Sequence, residues 1–256
     1  MVKEAQEHEA QLAEARSINP AWYEEEQKAE AESPWRHHLK KRRSFVKDSI
    51  ARYLSSCGKQ KAETMLDLGC GDGNNLAWLT DYAEQLWGSD YNILRLARVK
   101  ERKLNVGIFL GNILDYPVVD NTFEIVYFNH VLEHIQDDDA ALATAHRVLK
   151  PGGLLVLGVP NEGVWWWQLA YKRAPGTLES TDHVHFYTAE TISQKVLTAG
   201  FSITEVKHLG WGPPDWTWDM RVRKYKILDD LFDIIGKLFI PTQASSLYIM
   251  AIKENN

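Results

Sequence analysis

Cysteine is nearly absent: Cys57 and Cys70 are the two in 256 residues. That excludes a disulfide framework, fits a reducing compartment such as the cytoplasm, and leaves both thiols to be read as small packed side chains. No apolar run reaches the roughly 18 residues that a membrane span needs. The opening "MVKEAQEHEAQLAEA" is acidic and lacks the apolar centre of a secretory signal, so none is read there. Positive charge is not in excess either. A net charge of −6 argues against a general nucleic-acid or membrane-surface binder and leaves room for a local basic patch. Internal repeats and low-complexity linkers are missing as well. The length suits one α/β domain with decoration, or two small ones.

What is present is unevenly arranged. Residues 1–33 carry nine Glu against Lys3, Arg16 and Lys28, whereas the stretch that follows opens with Arg36, Lys40, Lys41, Arg42, Arg43 and Lys47. The first segment reads as a solvated helix, interrupted around Asn19-Pro20. The second reads as an amphipathic helix with Leu39, Phe45, Val46, Ile50 and Tyr53 to bury. Its basic cluster is either a solvated face or an anion-attracting lid. Residues 1–60 are therefore expected as an N-terminal helical extension or lid, and 61–256 as the main domain. That domain carries inserts at about 163–187 and 209–240.

From residue 63 short apolar strands alternate with helices. "TMLDL", "EQLWGSD", "VGIFLGNI", "FEIVYFNH" and "LLVLGVP" read as the first five strands. Helices are expected in "NLAWLTDYA", "NILRLARVKERK", "DDDAALATAHRVLK", "TAETISQKVLTAG" and across 220–236. Strands "FSITEVKHL" and "SLYIMAIK" complete the pattern. Such alternation specifies a mostly parallel sheet covered by helices on both faces.

"LDLGCGDGNN" places Gly69, Gly71 and Gly73 on the turn after the first strand. In an open α/β sheet, ligands bind beyond the carboxyl ends of the strands. A dinucleotide fingerprint reads G-x-G-x-x-G, but here Asn74 holds the third glycine's place. Asp67, at the mouth of the turn, would repel a pyrophosphate and could hold an ammonium group. Asp90 ends the second strand, where a carboxylate can accept both ribose hydroxyls. The implied ligand has a ribose and an amino-acid-like end, and no phosphate.

On these residues the chain resembles the class I S-adenosylmethionine-dependent methyltransferases. "LDLGCGDGNN" and "LWGSDYN" are similar to the family's first two motifs. "FLGNILDYPVVDNTFEIVYFNHVLEHIQD", "LKPGGLLVLGVPN" and "DHVHFYTAETISQKVLTAGFSI" resemble its later segments. The resemblance covers roughly 62–208, with the last strand at 246–252. It implies a Rossmann-like seven-stranded, mostly parallel sheet and S-adenosyl-L-methionine as cofactor. Gly69 and the Gly71 backbone would face the methionine part, with Asp67 supporting its amino end. Asp90 would bind the ribose, with Tyr91 against the adenine. Asn112 and Ile113 stand where the family often reads the adenine amino group with an acidic residue, and Asn129 lies near the sulfonium end.

Methyl transfer to an oxygen of high pKa needs a base, and histidine is the default. His134, His183 and His185 are the catalytic candidates, with His130 beside them. Some family members that methylate ortho-diols or RNA ends carry magnesium on E-x-x-E-H plus a later histidine. Here His130 replaces the first Glu, and no metal is expected. Aromatic residues gather in the inserts "GVWWWQLA" and "GWGPPDWTWDM", as walls for an acceptor or as a secondary core. "MRVRKYK" either attracts an acidic acceptor or forms a solvated helix face, and residues 231–253 loosely resemble the ends of bacterial surface-glycan methyltransferases. The expected reaction is O-methylation of a small-molecule or sugar/glycan acceptor. Alternatives are a quinone or phenolic acceptor with metal assistance, an inactive cofactor-fold partner subunit, and a dehydrogenase with an unusual turn. DNA is not an expected partner, because "FNHV" stands where an N/D-P-P-Y/F/W motif would. The N-terminal helices are candidates for a homodimer contact.

Overall fold

The computed structural model describes residues 33–174, 176 and 181–254. The helix expected over residues 1–33, with its lid or dimer role, lies outside them apart from Ser33. In chain order the elements are α1 (Arg36–Ser56), β1 (Ala62–Leu68), α2 (Leu76–Leu79), β2 (Ala83–Asp90), α3 (Ile93–Glu101), β3 (Gly107–Leu110) and β4 (Phe123–Asn129). A 3-10 turn (Leu132–His134), α4 (Asp138–Val148), β5 (Leu149–Pro160), α5 (Trp165–Arg173), α6 (Ala189–Thr198) and β6 (Phe201–Leu209) follow. The last elements are α7 (Trp216–Arg223), α8 (Lys226–Phe239) and β7 (Ser246–Lys253).

The seven strands form one sheet in the order β3-β2-β1-β4-β5-β7-β6. All pairings are parallel except those of β7 with β5 and β6. Strand order reverses between β1 and β4, which opens a crevice at the carboxyl edge there. Period-two alternation sends successive side chains to opposite faces. Leu66, Leu68, Val126, Phe128, Leu155 and Leu157 meet α4 and α6 on one face. Met65, Ile125, Tyr127, Leu154 and Val156 meet α1, α2 and α3 on the other. The stretch expected as an extension thus contributes a core helix, with Val46, Ile50 and Leu54 buried against the sheet.

Other expectations differ from the structure. Cys70 is packed in the core but Cys57 is exposed at the end of α1, and the strand expected over 106–113 is limited to Gly107–Leu110. The helix after the glycines has a single turn, because the register Ala62↔Ala83 starts β2 too early to leave room for more. The strand expected from residue 154 begins at Leu149 and runs through Pro151-Gly152-Gly153. A register shift between Phe123 and Ile125, with Gly152 at φ 74°, absorbs the proline as a bulge. The helix expected across 220–236 is two helices broken at Lys224-Tyr225, which lets Asp219 and Asp229 both approach the buried Arg223.

Candidate active site

The turn after β1 is built on left-handed backbone. Gly69, Gly71 and Gly73 take φ of 79°, 54° and 78°, which side chains with a Cβ adopt only with strain. The Val131 side chain fills the space that a Cβ on Gly69 would need. Two backbone N–H groups of the turn, Gly69 and Cys70, donate to the Ser89 carbonyl and bind it to the end of β2. Asp90 fixes the turn from the other side. Its Oδ2 accepts from Gly71 N–H at 2.9 Å and its Oδ1 from Asn92 N–H at 2.8 Å. Each carboxylate oxygen has a second lone pair, so capacity for a diol remains. Asn92 then caps α3 through its side chain.

Asp67 lies at the end of β1, 2% exposed, and its Oδ2 has no hydrogen-bond partner. Burial, with repulsion from Asp90, pushes its carboxyl up to about 8. Burial also raises Asp90. Two buried carboxylates, one of them unpartnered, make a site that gains from a cation or from hydroxyl donors. Tyr91 follows, half-exposed. Asn112 is exposed, and its Oδ1 accepts from Leu114 N–H at 3.0 Å, closing its own turn. Ile113 packs on the core beneath α4. Asn129 Oδ1 accepts from the Tyr248 hydroxyl, whose oxygen also takes a bond from Arg42 Nε.

A second group of polar side chains stands at the ends of β4 and β5. His130 has φ 53°, a strained value for a non-glycine residue, and its Nδ1 lies 3.2 Å from Glu133 Oε1. Burial holds its imidazole well below the usual histidine range. Glu133 is fully buried; its Oε2 is unpartnered, while its backbone carbonyl accepts from Val184 and His185 N–H. Those bonds bring the 182–185 segment over the 3-10 turn. His134 and His183 meet ring to ring with centroids 4.8 Å apart. His183 Nδ1 lies 2.7 Å from Glu162 Oε2, and the Tyr171 hydroxyl donates to Glu162 Oε1. Burial opposes charge on His183, but the Glu162 contact outweighs it and raises the imidazole pKa; burial lowers that of His134.

Glu133, His134 and His183 each present one donor atom within 4.8 Å of the others, a two-histidine, one-carboxylate set able to hold a divalent ion. His185 stands apart. Its Nε2 faces the Ile135 and Gln136 carbonyls and its ring stacks on Tyr187. Glu162, absent from the candidates read in sequence, is the carboxylate that orients His183. Its one signal was its place in "VPNEG", directly beyond the end of β5.

A family model described as a methyltransferase domain matches residues 36–206. The chain belongs to that family. A protein of Mycolicibacterium smegmatis named "Probable S-adenosylmethionine-dependent methyltransferase" is 28% identical over 141 residues, 55% of this chain and 52% of that protein. A demethylmenaquinone methyltransferase of a Geobacillus species is 33% identical over 133 residues, 48% of this chain and 52% of its own length. The chain thus spans about half the length of these curated relatives. The crystal structure of an S-adenosylmethionine-dependent methyltransferase from Mesorhizobium loti shares the fold, with TM-score 0.57 and 18% identity over 80% of this chain and 96% of that one. The domain is of the class I methyltransferase family, with its seven-stranded sheet, and S-adenosylmethionine is the family's cofactor. The residues present fit that group, because the unpartnered Asp67 oxygen and the spare lone pairs of Asp90 match an ammonium and a ribose diol. Among the described residues no helix is long and apolar enough to cross a membrane.

Proposed function

We propose that the chain transfers a methyl group to a hydroxyl of a small-molecule or sugar/glycan acceptor, with His183 as the base. S-adenosylmethionine, when bound, supplies an electrophilic methyl carbon on a sulfonium. Asp67 would hold its amino group, the Gly69 and Gly71 backbone its methionine chain, and Asp90 its ribose. Tyr91, Asn112 and Ile113 would border the adenine, and Asn129 the sulfonium end. His183 would take the proton from the acceptor hydroxyl as the oxygen attacks, while Glu162 holds the ring in one tautomer and stabilises the imidazolium.

The observation that carries this reading is the 2.7 Å contact between His183 Nδ1 and Glu162 Oε2. It is a base with its orienting carboxylate, beside the turn whose Val131 lies on Gly69. In this reading His134 borders the base and His185 only fixes the loop. The test is an assay with labelled methyl donor against nucleotide sugars, glycans and phenols. The expected product carries an O-methyl group, and His183→Ala should keep cofactor affinity while losing turnover. Cofactor binding with no transfer to any acceptor, together with a stable protein complex, would favour the partner-subunit reading.

A second reading, a quinone or phenolic acceptor with metal assistance, is favoured by the donor set Glu133, His134 and His183 and by the demethylmenaquinone methyltransferases among the relatives. It predicts turnover that a chelator abolishes and manganese or zinc restores.

A further inference from the structure

Helix α8 is inside out. Its carboxylates Asp229 and Asp233 are buried, and Lys41 reaches them at 2.5 and 2.7 Å. Gly236, on the same side, lies so close to the Trp211 ring that no side chain fits there. The opposite face is apolar and open: Ile227, Leu238 and Phe239 are 82%, 71% and 77% exposed, with Leu231 and Ile234 between them. The buried ion pairs prevent the helix from rolling this face inward. Beside it, α7 and the break after it expose Trp218 and Tyr225. An apolar face of this extent on a well-packed domain marks an interaction surface.

Charge is sorted across the same two helices. Asp219, Asp229 and Asp233 turn inward to Arg223, Trp35 and Lys41. Asp230, at the rim, pairs with Lys226 and Lys41, and Arg221, Lys224 and Lys237 remain at the surface. The net charge of −6 therefore averages over a surface with one cationic, apolar side.

We propose that the α7–α8 face docks on a lipid bilayer bearing anionic headgroups. Helix α8 has 14 residues, fewer than the ~20 that span a bilayer. Its geometry instead suits a helix lying in the plane of the interface, apolar side down, with cations and aromatic rings at headgroup level. A second copy is a poorer occupant, since a two-fold contact would set Arg221, Lys224 and Lys237 of one patch against those of the other. Residues 1–32 are poorer still. Their large apolar side chains, Met1, Val2, Leu12, Ile18, Trp22 and Tyr23, are set singly or in adjacent pairs and make no continuous helical stripe to match Ile227, Leu231, Ile234 and Leu238. The helices leave β6 at Leu209 and return to β7 at Ser246, which pairs with Pro160 at the carboxyl end of β5. The docking face thus belongs to the edge of the sheet that carries the candidate site.

The experiment is co-sedimentation of the full-length chain with phosphatidylcholine vesicles, with and without phosphatidylglycerol. The expected result is at least ~10-fold stronger partitioning into the anionic vesicles, weakened by high salt. Ile227→Asp/Leu238→Asp should abolish binding, and Arg221→Glu/Lys224→Glu should remove the preference for anionic lipid. All four side chains are exposed, so unchanged thermal melting verifies that the variants fold. A chain that stays in the supernatant with both vesicle types overturns the proposal. So does equal binding to neutral and anionic vesicles. A dimer in solution that Ile227→Asp/Leu238→Asp dissociates, without vesicle binding, assigns the face to a second copy instead.

Discussion

The two halves of the candidate site are built differently. The cofactor half comes from strand ends and turns close in sequence: Asp67, Gly69 and Gly71 from one loop, Asp90 from the next. The bonds that tie this turn together, Gly69 N–H to the Ser89 carbonyl and Gly71 N–H to Asp90, span about 20 residues. The acceptor half is assembled from remote pieces. His183 reaches back 21 residues to Glu162, Trp166 Nε1 donates across 46 residues to the Gly212 carbonyl, and His134 Nδ1 meets the Asp182 carbonyl over 48. The cofactor half is set by local turn chemistry, whereas the acceptor half depends on how the inserts pack. Binding and turnover should therefore be separable by mutation.

The largest expected effect tests that separation directly. His183→Ala or Glu162→Gln should lower turnover by roughly 100-fold or more, the scale of lost acid–base catalysis, with cofactor affinity within about twofold of wild type. A parallel loss of affinity, seen by calorimetry, would merge the two halves. Next is Asp90→Ala, which removes the bonds to Gly71 and Asn92 N–H and, in the proposed binding mode, those to the ribose. It should weaken cofactor binding by about 1.5–3 kcal/mol; an unchanged dissociation constant would remove Asp90 from the ribose.

A third test uses pH. Asp67 keeps its proton up to about 8 in the free folded chain, because burial and Asp90 disfavour the charge. Its unfolded value is about 4. Ionising it therefore costs the free chain stability progressively as pH rises from about 4 to 8. A ligand ammonium favours the ionised form, so binding releases a proton and cofactor affinity should rise by about tenfold or more from pH 6 to 8. Calorimetry in buffers of different ionisation enthalpy checks both signs, and Asp67→Asn should flatten the dependence.

The smallest effect belongs to Asn112. Its oxygen already accepts from Leu114 N–H, so Asn112→Ala should cost about 1 kcal/mol of stability in a denaturant titration. Cofactor affinity should change less than about fivefold. A larger loss would show that the same oxygen also reads the adenine.

Legibility in the sequence follows the same division. Gly69, Gly71, Asp67 and Asp90 could be read because a glycine turn between two buried strands has few structural solutions, and each needs these residue types at these spacings. His183 could be read as a candidate, but not ranked above His185, which lies two residues away and faces the other side of the loop. Glu162 was invisible as a partner, since nothing local to "VPNEG" says which imidazole it will meet. The orientation of α8 was not legible either, since nothing local says which face turns inward; Asp229 and Asp233 take the inner side because Lys41, remote in sequence, meets them there.

The sequence by itself determined the sheet, the order of its elements and the cofactor turn. Alternation of apolar residues and glycine placement are short-range constraints, satisfied or violated within a dozen residues. Only the tertiary structure decided which histidine has a carboxylate behind it, and which face of the last helix is left to solvent. Both outcomes rest on buried charge, because a carboxylate removed from water turns toward the cation or imidazole that compensates it, wherever in the chain that partner lies.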